Sequence, residues 1–225
     1  MRLRVLSYNV HGLRDDAGAE VSTVRDLDPD VVVLQEGPRR MRWRGRTARL
    51  AQDLGLVYAA GGLPSLGNVV LTSLRVRAHE VRYLRYPLTP GRHLRGAVAV
   101  RCTVGRTPFV VAGSHLATDP SERPRQALAL TKLLAEADAP VVLAADLNEP
   151  PGGDAWRTVG ARLVDAAEAA GQADTPTYPV VGARHRLDAV LVDPGCEVLS
   201  YRVVDTPRSR LASDHFPVLV ELGLP

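Results

Sequence analysis

Apolar residues in this chain fall in short unbroken runs. Leu3–Tyr8, Val31–Leu34, Val69–Leu71, Phe109–Ala112, Val141–Ala145 and Ala189–Val192 are rich in valine and leucine and bounded by turn formers. Runs of that length and composition predict strands buried on both faces. Gly96–Val104 alternates instead, with Val98, Val100, Cys102 and Val104 on one face and Ala97, Ala99, Arg101 and Thr103 on the other. Phe216–Leu222 predicts a last strand. Helices are fewer. Ser121–Glu136 sets Ala127, Leu130, Thr131 and Leu134 at helical spacing and confines Pro124 to the first turn. Arg46–Leu54 and Val21–Leu27 are shorter candidates. The mix predicts a strand-rich α/β protein with hairpins as well as βαβ crossings. The regular alternation of a Rossmann or barrel fold is missing, and so are its glycine-rich phosphate loops.

Composition bounds the class. A chain of 225 residues, 45% hydrophobic and 24% charged, is that of an ordinary globular protein and excludes a wholly disordered one. Its length predicts one domain over residues 1–225, able to fold without disulfides or structural metals, and it is expected to be a monomer. A net charge of +3 neither establishes a nucleic-acid partner nor supports a polybasic membrane anchor. Twenty-eight residues are basic, and all but Lys132 are arginine. Arginine-rich composition follows from GC-rich coding, yet arginine also binds phosphate bidentately where lysine cannot. Cys102 and Cys196 lack metal-ligand spacing, and a reducing, cytoplasmic setting is expected. The N-terminal residues do not form a signal peptide, and no apolar run has membrane-spanning length.

The polar residues carry the chemistry. Apolar runs repeatedly end in groups able to bind a metal or move a proton: Asn9 with His11, Gln35-Glu36, Ser114-His115, Asp146-Leu147-Asn148, and Ser213-Asp214-His215 before the last strand. Any one of these is ordinary for an exposed strand end. Five of them gathered at one edge of a sandwich would make an acidic pocket rimmed by imidazoles. Hard oxygen ligands from Asp, Glu and Asn suit magnesium, manganese or calcium rather than zinc.

Seven stretches then carry a resemblance. Ser7-Tyr8-Asn9-Val10-His11-Gly12, Leu34-Gln35-Glu36, Gly67-Asn68-Val69-Val70-Leu71-Thr72-Ser73, Ser114-His115-Leu116, Ala145-Asp146-Leu147-Asn148, Arg186-Leu187-Asp188 and Ser213-Asp214-His215-Phe216-Pro217-Val218 occur in the order found in the endonuclease/exonuclease/phosphatase family, which the chain resembles over nearly its whole length. The resemblance implies a four-layered α/β sandwich, with two packed, mostly antiparallel mixed β-sheets flanked by helices. It implies a magnesium-dependent phosphoesterase, with manganese or calcium as substitutes. It implies Glu36 as the main metal ligand with Asn9 beside it, and Asp214 completing the metal environment or holding a second ion. Asp146 would deprotonate the attacking water, and Asn148 would hold that water or a phosphate oxygen. Asp188 would pair with His215 and keep it an imidazolium, and His115 would sit near the leaving oxygen. Asn68 and Arg95 would contact phosphate, with Arg92 and Arg101 close by in sequence.

Two positions depart from the family pattern: Ala145 replaces a glycine, and Ala189 replaces an aromatic that would wall the substrate pocket. His11, His79, His93 and His185 match no catalytic position. The arginine-rich segment Arg39–Arg46 is read as a solvated loop and helix face, or as a backbone contact in which Arg42 meets phosphate and Trp43 stacks or wedges. Arg208 and Arg210 pose the same choice. The arginines favour a nuclease acting on DNA or another nucleic acid. The short chain and Ala189 favour a phosphatase or phosphodiesterase for a small phosphorylated metabolite or lipid head group. A catalytically silent binding module with the same fold is the reading from another class.

Overall fold

A computed structural model describes all residues, Met1–Pro225. The elements run β1 (Arg2–Asn9), α1 (Ala17–Leu27), β2 (Val31–Gln35), α2 (Trp43–Leu54), β3 (Val57–Gly61), β4 (Val69–Thr72), β5 (Val76–Arg85), β6 (Gly96–Val104), β7 (Thr107–His115), α3 (Arg123–Ala135), β8 (Val141–Asp146), α4 (Asp154–Gly160), β9 (Val164–Asp165), α5 (Ala166–Ala169), β10 (Asp188–Val192), β11 (Glu197–Val203), α6 (Ser209–Ala212) and β12 (Val218–Gly223). Two six-stranded sheets form, ordered β11-β12-β1-β2-β4-β3 and β5-β6-β7-β8-β10-β9. Only β1–β2 and β7–β8 pair in parallel.

The valine-rich strands explain the layering. Successive side chains of a strand point to opposite faces. Val31 and Val33 of β2 enter the core between the sheets, beside Val98, Val111, Val142 and Val190 of the second sheet. Val32 and Leu34 face outward and pack under Val24, Leu27, Leu50 and Leu54 of α1 and α2. Ala112, Leu143 and Ala145 of the second sheet lie under Ala127, Leu130 and Trp156 of α3 and α4. A strand covered on both faces cannot alternate apolar with polar, so its sequence reads as a continuous run. The four-layered sandwich is the observed architecture. The sheets lie in close contact at Gly113, where an added Cβ would lie 2.6 Å from Val33 Cγ1. No helix is long and apolar enough to cross a membrane.

The long runs sit where expected, and the edges differ. β5 and β11 carry exposed and charged positions because each covers only part of a face, and the short β3 exposes Val57 and Tyr58, so these strands lack the buried run of the central ones. Helix α1 starts four residues earlier than expected because Asp16 caps it, accepting from the Ala19 amide at 2.8 Å. α2 begins at Trp43 rather than Arg46.

One buried acid departs from the apolar scheme. Glu20 of α1 is 2% exposed, and its Oε1 has no hydrogen-bond partner. Burial, helped by the charge of Asp15, pushes its pKa up to about 8 from an unfolded value of 4.5. The folded chain therefore keeps a proton that the unfolded chain releases. The stabilising contribution is full below pH 4.5 and is lost as pH rises through 8. Glu20→Gln, which needs no proton, is expected to melt with the parent at pH 4 and at least about 2 °C above it at pH 8.5. Thermal melts across that range check this, and a gap independent of pH would refute it.

Candidate active site

The strand ends meet at one edge of the sandwich, and register aligns them. His115 of β7 pairs with Asp146 of β8, and Asp146 pairs in turn with Asp188 of β10. Three functional side chains thus stand in one row across three neighbouring strands. In the other sheet Asn9 of β1 pairs with Gln35 of β2, and the chain then turns through Glu36. Glu36 and Asn148 both have left-handed backbones, with φ of 57° and 50°. Such conformations cost free energy in non-glycine residues and persist only where the surroundings hold them. For Asn148, Arg123 of α3 supplies part of that hold: its guanidinium donates to the Asn148 carbonyl at 2.8 Å.

Asp146 is the hub. Its Oδ1 accepts from the Asn148 amide at 2.9 Å, and its Oδ2 accepts from Asn9 Nδ2 at 2.9 Å. The Nε2 atoms of His115 and His215 lie 3.2 and 3.8 Å from the same Oδ2. Those two imidazoles have opposite electrostatics. Burial drives the pKa of His115 down to about 3, overcoming the pull of Asp146, with Arg95, His215 and Arg39 adding to the depression. His115 is therefore neutral at physiological pH. Burial opposes the charged form of His215 too, but Asp188 Oδ2 meets His215 Nδ1 at 2.9 Å. Together with Asp146 and Asp214, it raises the His215 pKa to about 10. His215 is an imidazolium. Tyr178 stacks against it with ring centroids 4.6 Å apart.

The approach of the last strand is tied down from two sides. Ser213 Oγ donates to the Asn9 carbonyl at 2.6 Å, linking the loop before β12 to the end of β1. Thr177 Oγ1 accepts from the amides of Leu187 and Asp188 at 3.1 and 3.2 Å. These bonds fix the Asp188–His215 pair against Asp146.

The cleft so formed has a volume of about 320 Å³. Glu36 sits at its mouth, a quarter exposed, with Arg95 Nη1 3.6 Å and His115 Nδ1 3.9 Å from its Oε1. Neither is a hydrogen bond, so the carboxylate lone pairs are open to the cleft. His115 Nδ1 and Arg95 Nε are likewise buried without partners. Asp214 lines the cleft too, its Oδ2 3.9 Å from His11 Nε2. Carboxylate and amide oxygens of this kind fit a hard divalent cation. Asp146, Asp188 and His215 also present ligand atoms within 4.8 Å of one another and could hold a metal. A charged imidazolium is not a ligand, however, and its Nδ1 is already bonded to Asp188, so the open carboxylate of Glu36 is the better metal position.

Of the twelve residues predicted from sequence, eight line the cleft, namely Asn9, Glu36, Arg95, His115, Asp146, Asn148, Asp214 and His215, and a ninth, Asp188, lies immediately behind His215. Three do not. Asn68 is 1% exposed, and its amide donates to the carbonyls of Ser65 and Gly96 at 2.8 Å, so it braces the loop beside Arg95 instead of meeting phosphate. Trp43 is buried against the backbone of Gly62, where an added Cβ would lie 2.4 Å from the ring, so it cannot stack on a base. Arg42 faces a separate groove between α1 and α2. Arg92 and Arg101 are taken by Asp119 and Asp138, which leaves Arg95 as the cleft arginine of that segment. Arg208 and Arg210 pair with Asp26 and Asp205. Ala189 opposes Ala145 in the β8–β10 pair and faces the outer core under Trp156, so the missing aromatic opens no hole in the cleft wall. His11, Arg14, Arg39, Arg40, His93, Thr118 and Tyr178 also line the cleft. Tyr178 and Thr177 lie in an irregular segment with no apolar run or polar motif to mark them.

This fold and cleft define a phosphoester-hydrolase architecture of the deoxyribonuclease I type. The family model described as Endonuclease/Exonuclease/phosphatase family matches residues 6–215, and the chain belongs to that family of phosphoesterases. No curated protein matches the sequence. Among solved structures, a Bacteroides thetaiotaomicron protein of the same family superposes with a TM-score of 0.80 at 17% identity, covering 99% of this chain and 95% of the other. The mannosyl-6-phosphatase of B. thetaiotaomicron superposes with a TM-score of 0.79 at 18% identity, covering 99% and 100%. D. rerio TDP2 complexed with a single-strand DNA product gives 0.78 at 19% identity, covering 99% of each chain. At these identities the likeness establishes the fold.

The Asp188–His215 pair has a direct readout. Asp188→Asn removes the charge that holds the proton, so the His215 imidazole is expected to titrate more than about one pH unit lower by NMR. An unchanged titration would remove Asp188 from this role.

Proposed function

We propose that the chain is a magnesium-dependent phosphodiesterase that cleaves nucleic acid by in-line attack of water on phosphorus. The observation that carries this is the setting of Asp146, a buried carboxylate held at both oxygens by Asn148 and Asn9 and flanked by one neutral and one charged imidazole. A carboxylate so fixed can orient a water and take its proton. The His215 imidazolium meets the phosphate as charge builds on it. His115, with its unpartnered Nδ1, stands toward the leaving oxygen, and the free donors of Arg95 neutralise a non-bridging oxygen. Asn148 holds the water or a phosphate oxygen. Glu36 and Asn9, with Asp214 near them, would hold the metal. When bound, magnesium supplies charge neutralisation at the phosphate and a template for the substrate.

A second reading has its own support. With Trp43 buried, the cleft offers no exposed indole for base stacking, and one structural neighbour is a mannosyl-6-phosphatase. A small phosphorylated metabolite or lipid head group is therefore the competing substrate class. A silent binding module is disfavoured because the groups that move protons and bind phosphate are all present and mutually bonded. We also place the protein in the cytoplasm as a monomer, in keeping with two buried free cysteines.

Profiling plasmid, single strands, inositol phosphates, sugar phosphates and sphingomyelin with magnesium, against a chelator control, separates these readings. Cleavage of none of them would overturn the enzyme assignment. Asp146→Asn keeps the acceptor for the Asn148 amide but sets an NH2 group against Asn9 Nδ2 and loses the base, so turnover is expected to fall at least about 100-fold in a variant that still folds, with a lowered melting temperature. Glu36→Ala is expected to weaken magnesium binding by at least about 10-fold in a calorimetric titration. Retained turnover in the first variant, or parental affinity in the second, would refute that residue's role.

A further inference from the structure

A second cavity of about 190 Å³ opens directly off the cleft. Its charged lining is four guanidiniums, from Arg14, Arg39, Arg40 and Arg46, with the single carboxylate of Glu36 on the boundary. Arg14, Glu36, Arg39 and Arg40 line both spaces, so the two are continuous. Other arginines near the cleft are neutralised: Arg92 by Asp119, Arg123 by Glu149, and Arg210 by Asp205. None of the four guanidiniums of the side cavity has a carboxylate partner within 4.0 Å. Arg39 is additionally held in place, donating to the carbonyls of Leu66 and Leu94 at 3.0 Å. Left-handed Gly12 leaves room for Arg14, since an added Cβ would lie 3.3 Å from Arg14 Nε.

Four like charges gathered around one concave space repel one another unless an anion joins them. Phosphate matches guanidinium geometry and charge, and arginine grips it through two parallel hydrogen bonds. We propose that this cavity is a second phosphate subsite, which receives a phosphate of the substrate adjoining the one that is cleaved. The inference rests on the phosphoesterase reading above and narrows it: the preferred substrate carries at least two phosphates. A neighbouring phosphate of a nucleic-acid strand and the second phosphate of a small bisphosphorylated metabolite share this chemistry.

The test compares the parent with Arg46→Ala, Arg40→Ala/Arg46→Ala and Arg46→Lys. Arg40 and Arg46 are solvent-exposed, so the fold should tolerate these changes. The substrates are bis(4-nitrophenyl) phosphate, with one phosphorus, a thymidine trinucleotide, and a sugar bisphosphate. The ratio of kcat/KM for a two-phosphate substrate to that for the one-phosphate ester is expected to fall at least about 10-fold in Arg46→Ala, chiefly through KM. The double variant should fall further, and Arg46→Lys should recover only part. A fall confined to the trinucleotide assigns the subsite to a nucleic-acid strand, and one confined to the sugar bisphosphate assigns it to a metabolite. Unchanged ratios for both overturn the proposal. A calorimetric titration with tripolyphosphate in the absence of metal keeps the two readings apart. If the parent cleaves nothing yet binds tripolyphosphate and the variants lose that affinity, the subsite stands while the catalytic reading fails. Equal affinity in parent and variants overturns the subsite whatever the activity.

Discussion

Asp146 and Asp188 stand directly opposite each other in the β8–β10 pair, and each is 1% exposed. Two buried like charges on facing positions destabilise a sheet unless a positive charge lies between them. His215 is that charge. Its Nδ1 bonds to Asp188 and its Nε2 approaches Asp146, so one imidazolium compensates both acids. The chain must therefore return from β11 and deliver His215 to the far side of the sandwich. The Ser213–Asn9 bond, the Thr177 hydroxyl and the Tyr178 ring are the contacts that make this delivery precise enough to serve. The same arrangement couples the sheets, since Asn9 reaches Asp146 from the other one.

The two histidines show how strongly location governs chemistry. Both are buried and both look toward the same carboxylate oxygen. One has a dedicated carboxylate on its other nitrogen and stays charged. The other has an unpartnered nitrogen, with Arg95 and Arg39 adding to the effect of burial, and stays neutral. Environments that push two like groups apart in this way assign them different tasks. Two residues of one type thereby present both a fixed cation and a neutral imidazole beside a single carboxylate.

The sequence made the interior of this arrangement legible and left its margins obscure. Central strands are valine-rich on both faces, and their polar ends fall at fixed places because sheet register aligns them. That is why Asn9, Glu36, His115, Asp146 and His215 could be gathered from order alone. The edge strand β5, with Arg77, Glu80, Arg82 and Arg85, gives no such pattern because half of it faces water. Local sequence also fails where burial is decided by distant backbone. Trp43 reads as an exposed aromatic among arginines, yet the glycine at position 62 opens a slot that takes its ring. Asn68 reads as a phosphate contact, but carbonyls of Ser65 and Gly96 reach its amide first. Tyr178 is placed by its bridge to His185 and by long-range bonds of its neighbours, in which Phe216 donates to the Thr177 carbonyl and Val180 donates to the Asp214 carbonyl.

Net charge conceals the feature that bears most on the substrate. A total of +3 is modest, and all but one of the 28 lysines and arginines are arginine. What distinguishes one arginine from another is its partner. Many guanidiniums face carboxylates across ordinary ion pairs such as Arg101–Asp138 and Arg82–Glu136, which neutralise the field locally. In the recess beside the cleft four unpaired guanidiniums share one concave space. Asp146 and Asp214 line the cleft alone, Arg46 lines the recess, and Glu36, Arg14, Arg39 and Arg40 stand at the junction between them. A negative centre suited to a cation thus abuts a positive recess suited to an anion. The combination is complementary to a substrate whose reacting phosphate can share a metal while a second phosphate does not need one.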